Sequence, residues 1–194
     1  MILKVFKGKI IEGPQTSLKS FNYAKEKKIL GHLILPITRW LRAHHAEKYM
    51  LPAEKHLDIG CGDGYFLKRS NCKEGYGIDK FLGSEVTNIL PFRDNTFDYV
   101  TMLAVIEHLH SVEPLIKEIS RVLKSKGKLI ITTPKRAADT LIKIYVNDID
   151  EEHVGYYSLE DIKNFTKDFF NIVGHHTFIF GLNQIFCLEK LTHS

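Results

Sequence analysis

Between Ala24 and Met50 the apolar residues Ile29, Leu30, Leu33, Ile34, Ile37, Trp40 and Leu41 recur at steps of three and four. That is the stripe of a helix, and Pro36 inside it predicts two helices or one kinked helix. After Pro52 the pattern changes to short apolar runs alternating with amphipathic stretches. "KHLDI" at 55–59, "GYGI" at 75–78 and "FDYVTMLAV" at 97–105 predict strands, the last running into helical sequence. Ser111 is placed to cap a helix with Glu113 and Pro114 in its first turn and Leu115, Ile116, Ile119, Val122 and Leu123 on one face. Gly127 is expected to end that helix before "KLIITT" at 128–133, a buried strand closed by Pro134. "SLED" at 158–161 has capping-box spacing and predicts a helix that turns Ile162, Phe165 and Phe169 inward. The runs "IVGHHTFIF" and "NQIFCLEK", joined at Gly181–Leu182, predict a closing hairpin.

Strands alternating with helices predict a doubly wound, Rossmann-like α/β domain, mostly parallel, with one antiparallel edge strand from the closing hairpin. Two parts follow: residues 1–50 as a helical extension or lid, and residues 51–194 as the domain proper. "GPQTS" at 13–17 is the only linker-like punctuation, so the first ~20 residues are expected to be loosely attached.

At 194 residues and 44% hydrophobic composition, one well-buried core is expected. No run reaches the ~18 to 20 apolar residues of a membrane span, and "MILKVFKGKI" is too charged for a signal peptide. The three cysteines, Cys61, Cys72 and Cys187, lack C-x-x-C spacing, which argues against a disulfide framework or a zinc site and for a reducing, cytoplasmic setting. The adjacent pairs His44–His45 and His175–His176 cannot each share one face, so no metal site is expected. Residues 1–50 hold ten Lys or Arg against three Glu, a balance of +7, and the remainder carries −3.

The candidate chemistry begins at "HLDIGCGDGYF", where Gly60, Gly62 and Gly64 directly follow the first core strand. In a doubly wound sheet ligands bind beyond the carboxyl ends of the strands, and bare backbone there admits a close approach. Asp79 ends the second strand, nineteen residues past Gly60, where a carboxylate can accept both hydroxyls of a ribose. A nicotinamide fingerprint would need glycine at position 65, which is Tyr65. Asp63 inside the loop would repel a pyrophosphate but tolerate a cation such as a sulfonium.

Five stretches in order, "LDIGCGDG", "GIDK", "LPFRDNTFDYVTMLAVIEHL", "ISRVLKSKGKLIITTP" and "EEHVGYYSLEDI", resemble the successive motifs of class I S-adenosylmethionine-dependent methyltransferases. The similarity spans about residues 54 to 190, and the branch it most resembles includes the quinone-biosynthesis enzymes. It implies the strand order 3-2-1-4-5-7-6 and S-adenosylmethionine as cofactor, with S-adenosylhomocysteine as product. It implies that Asp58, Gly60, Cys61, Gly62 and Gly64 hold the methionine moiety and Asp79 the ribose, with Lys80 beside it. Thr87, Asn88 and Ile89 would line the adenine, without the family's usual Asp, and Met102 and Leu103 would lie under the methionine. "FLGS" is short for the helix the family places between its second and third strands.

His108, after Glu107, and His153 in "EEHVGYY" are the candidate catalytic bases, each with a structural role as the alternative. Cys61 reads as a small loop residue, since Asp58 and Asp63 would raise its pKa. The expected partner is a small-molecule methyl acceptor under a lid formed by residues ~24–50 and 145–158. Arg39, Arg42 and Lys48 on that lid would favour an anionic or electron-rich acceptor. The alternatives are an RNA or protein methyltransferase using the basic N-terminal segment, and a non-catalytic cofactor-binding protein; "MLAV" stands where a nucleic-acid enzyme of the N-P-P-Y type would carry its motif. Peripheral membrane contact through the 29–41 stripe is a further reading, and a monomer or homodimer is expected.

Overall fold

The computed structural model describes residues 2–13, 29–80, 89–138 and 154–192, with the side chains of 29–35 outside that description. Strand β3 (Ala53–Ile59) is buried on both faces over its last four residues, as the run "HLDI" requires of a central strand. It pairs in parallel with β4 (Cys72–Ile78) on one side and β5 (Phe97–Leu103) on the other. β5 in turn pairs in parallel with β6 (Leu123–Pro134). The closing hairpin is β7 (Phe170–Phe178) and β8 (Asn183–Lys190), with β8 antiparallel to both β6 and β7. The chain opens with a second hairpin, β1 (Leu3–Phe6) and β2 (Lys9–Glu12), whose β1 lies antiparallel against β4. The sheet order is β2-β1-β4-β3-β5-β6-β8-β7.

The Rossmann-like α/β class is as expected, and so is the core order 2-1-4-5-7-6. Three expectations on layout change. The place beside β4, expected for the third core strand, is taken by the N-terminal hairpin. The antiparallel strand β8 is internal, and the edge strand β7 runs parallel to the core. The first residues are not loosely attached: Leu3 is fully buried, and residues 3–12 belong to the sheet, not to a helical lid.

Helix α1 (Ile29–Glu47) is one continuous helix with Pro36 inside it. Its second half turns Ala43 and Ala46 inward, while Ile37 and Trp40 of the expected stripe are exposed. Small residues let the helix lie close to Ile130, Ile185 and Cys187 of the sheet. The opposite sheet face carries the larger core, where Ile116 and Ile119 of α3 (Glu113–Val122) and Ile162 of α4 (Leu159–Thr166) meet Val100, Met102, Leu129 and Ile131.

The capping box of α4 is as spelled by "SLED": the Ser158 hydroxyl accepts the Asp161 N–H and Asp161 accepts that of Ser158. For α3 the cap is Val112, not Ser111, and the helix ends at Val122 rather than near Gly127. The chain passes from Val122 straight into β6, whose Lys126 turns at φ 60° where the pairing with β5 slips.

Candidate functional site

Strand β3 delivers Asp58 and then the glycine loop to the carboxyl edge of the sheet, and β4 brings Asp79 alongside. Gly60, Gly62 and Gly64 all take left-handed φ values, 75°, 55° and 73°, which glycine adopts without strain. The loop is tied down by backbone: Gly60 N–H donates to Ile78 O at 2.8 Å and Gly64 N–H to Cys61 O at 2.9 Å. Short helix α2 (Tyr65–Arg69) follows with Gly64 as its cap.

A Cβ on Gly60 would overlap Val105, and one on Gly64 would stand 2.6 Å from Leu3 Cδ2. Those two glycines answer to the protein's own packing as well as to φ. The case for a ligand against bare backbone therefore turns on Gly62, whose N–H donates to Asp79 Oδ2 at 2.8 Å. That bond locks the tip of β4 to the loop.

Asp58 is almost wholly buried, and burial, with the Asp79 charge added, pushes its carboxyl up to about 7. Thr101 Oγ1 on β5 donates to Asp58 Oδ1 at 2.6 Å, a bond that favours ionisation. With that hydroxyl proton committed, His56 Nε2, 2.8 Å from Thr101 Oγ1, must be the donor in the next bond. Burial holds His56 down at about 3, so it is neutral. His56, Thr101 and Asp58 thus form a buried chain of donors ending on a carboxylate directly beneath the loop. His56 and Thr101 are not among the residues the sequence analysis singles out; the signal is polar side chains within apolar strands, His56 two residues before Asp58 on β3 and Thr101 directly opposite Asp58 on β5.

Cys61 is buried among Leu3, Val5 and Leu67, and burial with the charges of Asp58 and Asp79 raises its pKa far out of a nucleophile's range. Asp63 is held by both guanidinium nitrogens of Arg39 on α1, whose guanidinium also stacks over Tyr65 at 4.3 Å. Arg69 of α2 reaches Glu47 of α1 at 2.7 Å. Helix α1 is thus clasped by one ion pair to the glycine loop and by another to α2, and Arg39 is spent on Asp63 rather than offered to an acceptor. The repulsion of a pyrophosphate then rests on Asp58 and Asp79.

Beyond β5, Ala104 turns at φ 60° and Val105 settles over Gly60, leading into a 3-10 turn at Ile106–His108. This places His108, half-buried, at the mouth of the same edge. The carbonyl of Glu107 accepts the N–H groups of Val154, at 2.8 Å, and Gly155, at 3.2 Å, which anchors the segment before α4 there. Tyr157 is a structural wall: its ring meets Phe165 edge-on and its carbonyl takes Gln184 Nε2 at 2.6 Å.

The structure therefore brings together Asp58, Gly60, Cys61, Gly62, Gly64, Asp79 and Lys80 at one edge, with Leu103 and His108 beside them. Met102 is enclosed in the larger core, so only its backbone reaches the strand end. Ile89 stands exposed, and Thr87, Asn88 and His153 lie outside the described residues. Among the described residues no cluster of three metal-ligating side chains forms, and no helix is long and apolar enough to cross a membrane. An open groove of about 800 Å³ between Lys7, Pro52, Lys68 and Asp98 lies at the amino ends of β3 and β4, the far end of the sheet from the loop.

Residues 30–169 match a family described as a methyltransferase domain. An uncharacterized protein of Methanocaldococcus jannaschii is 34% identical over 148 residues, which cover 67% of this chain and 60% of that protein. A sterol 4-C-methyltransferase of Caenorhabditis elegans is 28% identical over 67% of this chain and 43% of its own. A probable S-adenosylmethionine-dependent methyltransferase of Mycobacterium tuberculosis is 29% identical over 50% of this chain and 43% of its own. The chain spans about half the length of the curated relatives it matches. The fold is shared with a putative methyltransferase of Haloferax volcanii, solved with the Trm112 methyltransferase activator (TM-score 0.63, 15% identity, 77% of this chain and 89% of that one). A SAM-dependent methyltransferase of Aquifex aeolicus shares it too (TM-score 0.58, 18% identity, 77% and 89%). The glycine loop, the strand-end carboxylate and the core strand order thus belong to a chain of the methyltransferase domain family, with S-adenosylmethionine-dependent enzymes among its relatives.

Proposed function

We propose that this chain transfers a methyl group from S-adenosylmethionine to a small-molecule acceptor. The residues present fit that cofactor: a bare turn at Gly62, a carboxylate at the tip of β4 for the ribose, and buried Asp58 under a loop that suits a cationic ligand. Asp58, Gly60, Cys61, Gly62 and Gly64 would hold the methionine moiety, and Asp79 the ribose hydroxyls, with Lys80 and the 87–89 segment nearer the adenine and the 102–103 strand end below. When bound, the cofactor supplies an electrophilic methyl on a sulfonium that leaves as a neutral thioether. The leaving group needs no acid, so the chain's task is to hold donor and acceptor in line and keep water away. His108 and His153 are the candidates to take a proton from an acceptor that enters protonated.

The observation that carries the small-molecule reading is how α1 is used. Arg39 pairs with Asp63 and Glu47 with Arg69, so this helix sits as a wall beside the glycine loop. Lys4, too, is paired, with Glu12. Two of the ten basic side chains of residues 1–50, Lys4 and Arg39, are thus held in ion pairs inside the molecule, which leaves fewer of them for a phosphate backbone. Proposed neighbours of the acceptor are α1 on one side and the segment anchored to Glu107 on the other.

The test is turnover of a radiolabelled methyl donor against panels of small acceptors and against total RNA. Label in small acceptors, insensitive to salt, supports the reading. Label in RNA whose yield falls steeply with salt overturns it, and cofactor binding without any turnover points to a non-catalytic binder.

A further inference from the structure

Each residue of β1 that faces inward meets a glycine. Leu3 lies opposite Gly77 and Val5 opposite Gly75 across the β1–β4 ladder. Where those glycines lack side chains, α2 and the cofactor loop move in: a Cβ on Gly77 would stand 2.5 Å from Cys61 Sγ and 3.0 Å from Leu67 Cδ1. Leu3, Val5, Cys61 and Leu67 form a separate buried cluster, with Ile10 of β2 packed on it. Leu3 is the centre of it, fully buried, with its two methyls where side chains on Gly13 and Gly64 would be. The hairpin turn fastens the other end, since Lys7 N–H donates to Lys73 O at 3.0 Å.

We infer that the N-terminal hairpin is the positioning element of the cofactor loop, with Leu3 as its positioning residue. The inference rests on the reading of Gly60–Gly64 as the cofactor site. The loop holds three left-handed residues and needs a surface that makes one arrangement the best-packed one. On the core side Val105 fills the space at Gly60; on the hairpin side Leu3 fills the space at Gly64 and covers Cys61. Without Leu3 the backbone at Gly64 loses its wall and Cys61 keeps only Val5 and Leu67 around it, so Gly62 N–H loses part of the frame that presents it to Asp79. By linkage, a ligand that orders the loop must equally stabilise the docked hairpin.

Calorimetry with S-adenosylhomocysteine on the full chain tests this, at a temperature where every variant is folded. Leu3→Ala is expected to raise Kd about tenfold, within the usual range of site-to-site coupling. Leu3→Met, which keeps the volume, should restore it to within about twofold. Ile119→Ala on α3, a comparable cavity in the other core, should lower Tm and leave Kd unchanged. Should Leu3→Ala fail to fold, Val5→Ala takes its place. In the wild type, hydrogen exchange at residues 3–6 should slow when the ligand is added. A Leu3→Ala Kd equal to wild type, or exchange at 3–6 indifferent to ligand, overturns the inference while the cofactor reading stands. A wild-type chain that binds no ligand overturns both.

Discussion

The two ends of the chain each add a hairpin to the sheet, on opposite edges, and they do so by different means. β8 of the C-terminal hairpin is buried on both faces, with Phe186 and Leu188 in one core and Ile185 and Cys187 in the other. It supports both layers and is part of what makes the domain fold. β1 is four residues long, alternates inward and outward, and buries only Leu3 and Val5 against glycine-bearing β4. It contributes little to either main core, yet it touches the loop on which the chemistry depends. One hairpin serves stability and the other serves the site.

Damage to each should therefore be read out differently. The largest effect is expected from Phe186→Ala, a large cavity at the centre of the sheet that should cost ~3–5 kcal/mol of stability. Thermal unfolding should show a large drop in Tm, and cofactor Kd measured on the folded fraction should be near wild type. A Kd that falls apart together with Tm would mean that the two roles are not separable.

At the site itself, Asp79→Ala should weaken cofactor binding by ~2–3 kcal/mol, about 30- to 150-fold, through loss of charge-assisted bonds to the ribose. The same substitution frees Gly62 N–H, so its cost also measures how far the tip of β4 fixes the loop. Titration calorimetry on Asp79→Ala and Asp79→Asn separates the two. If both bind as wild type, the ribose is held elsewhere.

Much of this was legible in the sequence, and what was not has a physical reason. Within "NQIFCLEK" the run Ile185–Leu188 announced a strand because burial on both faces makes four successive positions apolar. "LDIGCGDG" announced its loop because left-handed φ at three alternate positions leaves glycine as the strain-free residue. β1 was overlooked, although Leu3 and Val5 alternate and Lys7–Gly8, with φ 45° and 75°, fits a two-residue hairpin turn. The lysines of the hairpin read as charge, whereas Lys9 lies on β2, the edge strand of the sheet, where a charged side chain guards against aggregation. The inward face of α1 was misplaced for the opposite reason: Ala43 and Ala46 bury fully but carry little hydrophobic signal. The end of α3 is hard to read because Gly127 suggests a helix stop, whereas here it lies within β6, inside the slip in its pairing with β5.

Asp58 offers a moderate effect that depends on pH. Its folded pKa, about 7, lies above the ordinary value of 3.8, so the folded state binds the extra proton between those values. The stability this gives is fully present below pH ~4 and is lost as pH rises through 7. A cationic ligand favours the ionised form, so cofactor affinity should run the other way, falling as pH drops below ~7 by up to tenfold per unit. His56 stays neutral in the folded state over that range and adds nothing to the slope of Kd. Its depressed pKa nevertheless makes folding stability fall as pH drops below about 6.5, opposing the contribution of Asp58. Asp58→Asn should flatten the profile of Kd against pH between 5 and 8. A profile unchanged in that variant would show that another group sets it.

The smallest effect on stability, and the sharpest on the division of labour, belongs to Arg39. Its pair with Asp63 is partly exposed, with side-chain exposures of 40% and 29%. Solvent screens such a pair, so Arg39→Ala should cost under ~1 kcal/mol of folding stability. The same change unclasps α1 from the glycine loop and uncovers Tyr65, which the guanidinium stacks on. If α1 is the wall of an acceptor pocket, turnover should fall and the KM of the acceptor should rise, while the Kd of the cofactor rises only modestly. Arg39→Lys, which keeps the charge but not the fork, should recover part of that loss. Turnover at the wild-type level in Arg39→Ala would remove α1 from the acceptor site and leave the segment anchored to Glu107 as the surface that closes over the methyl.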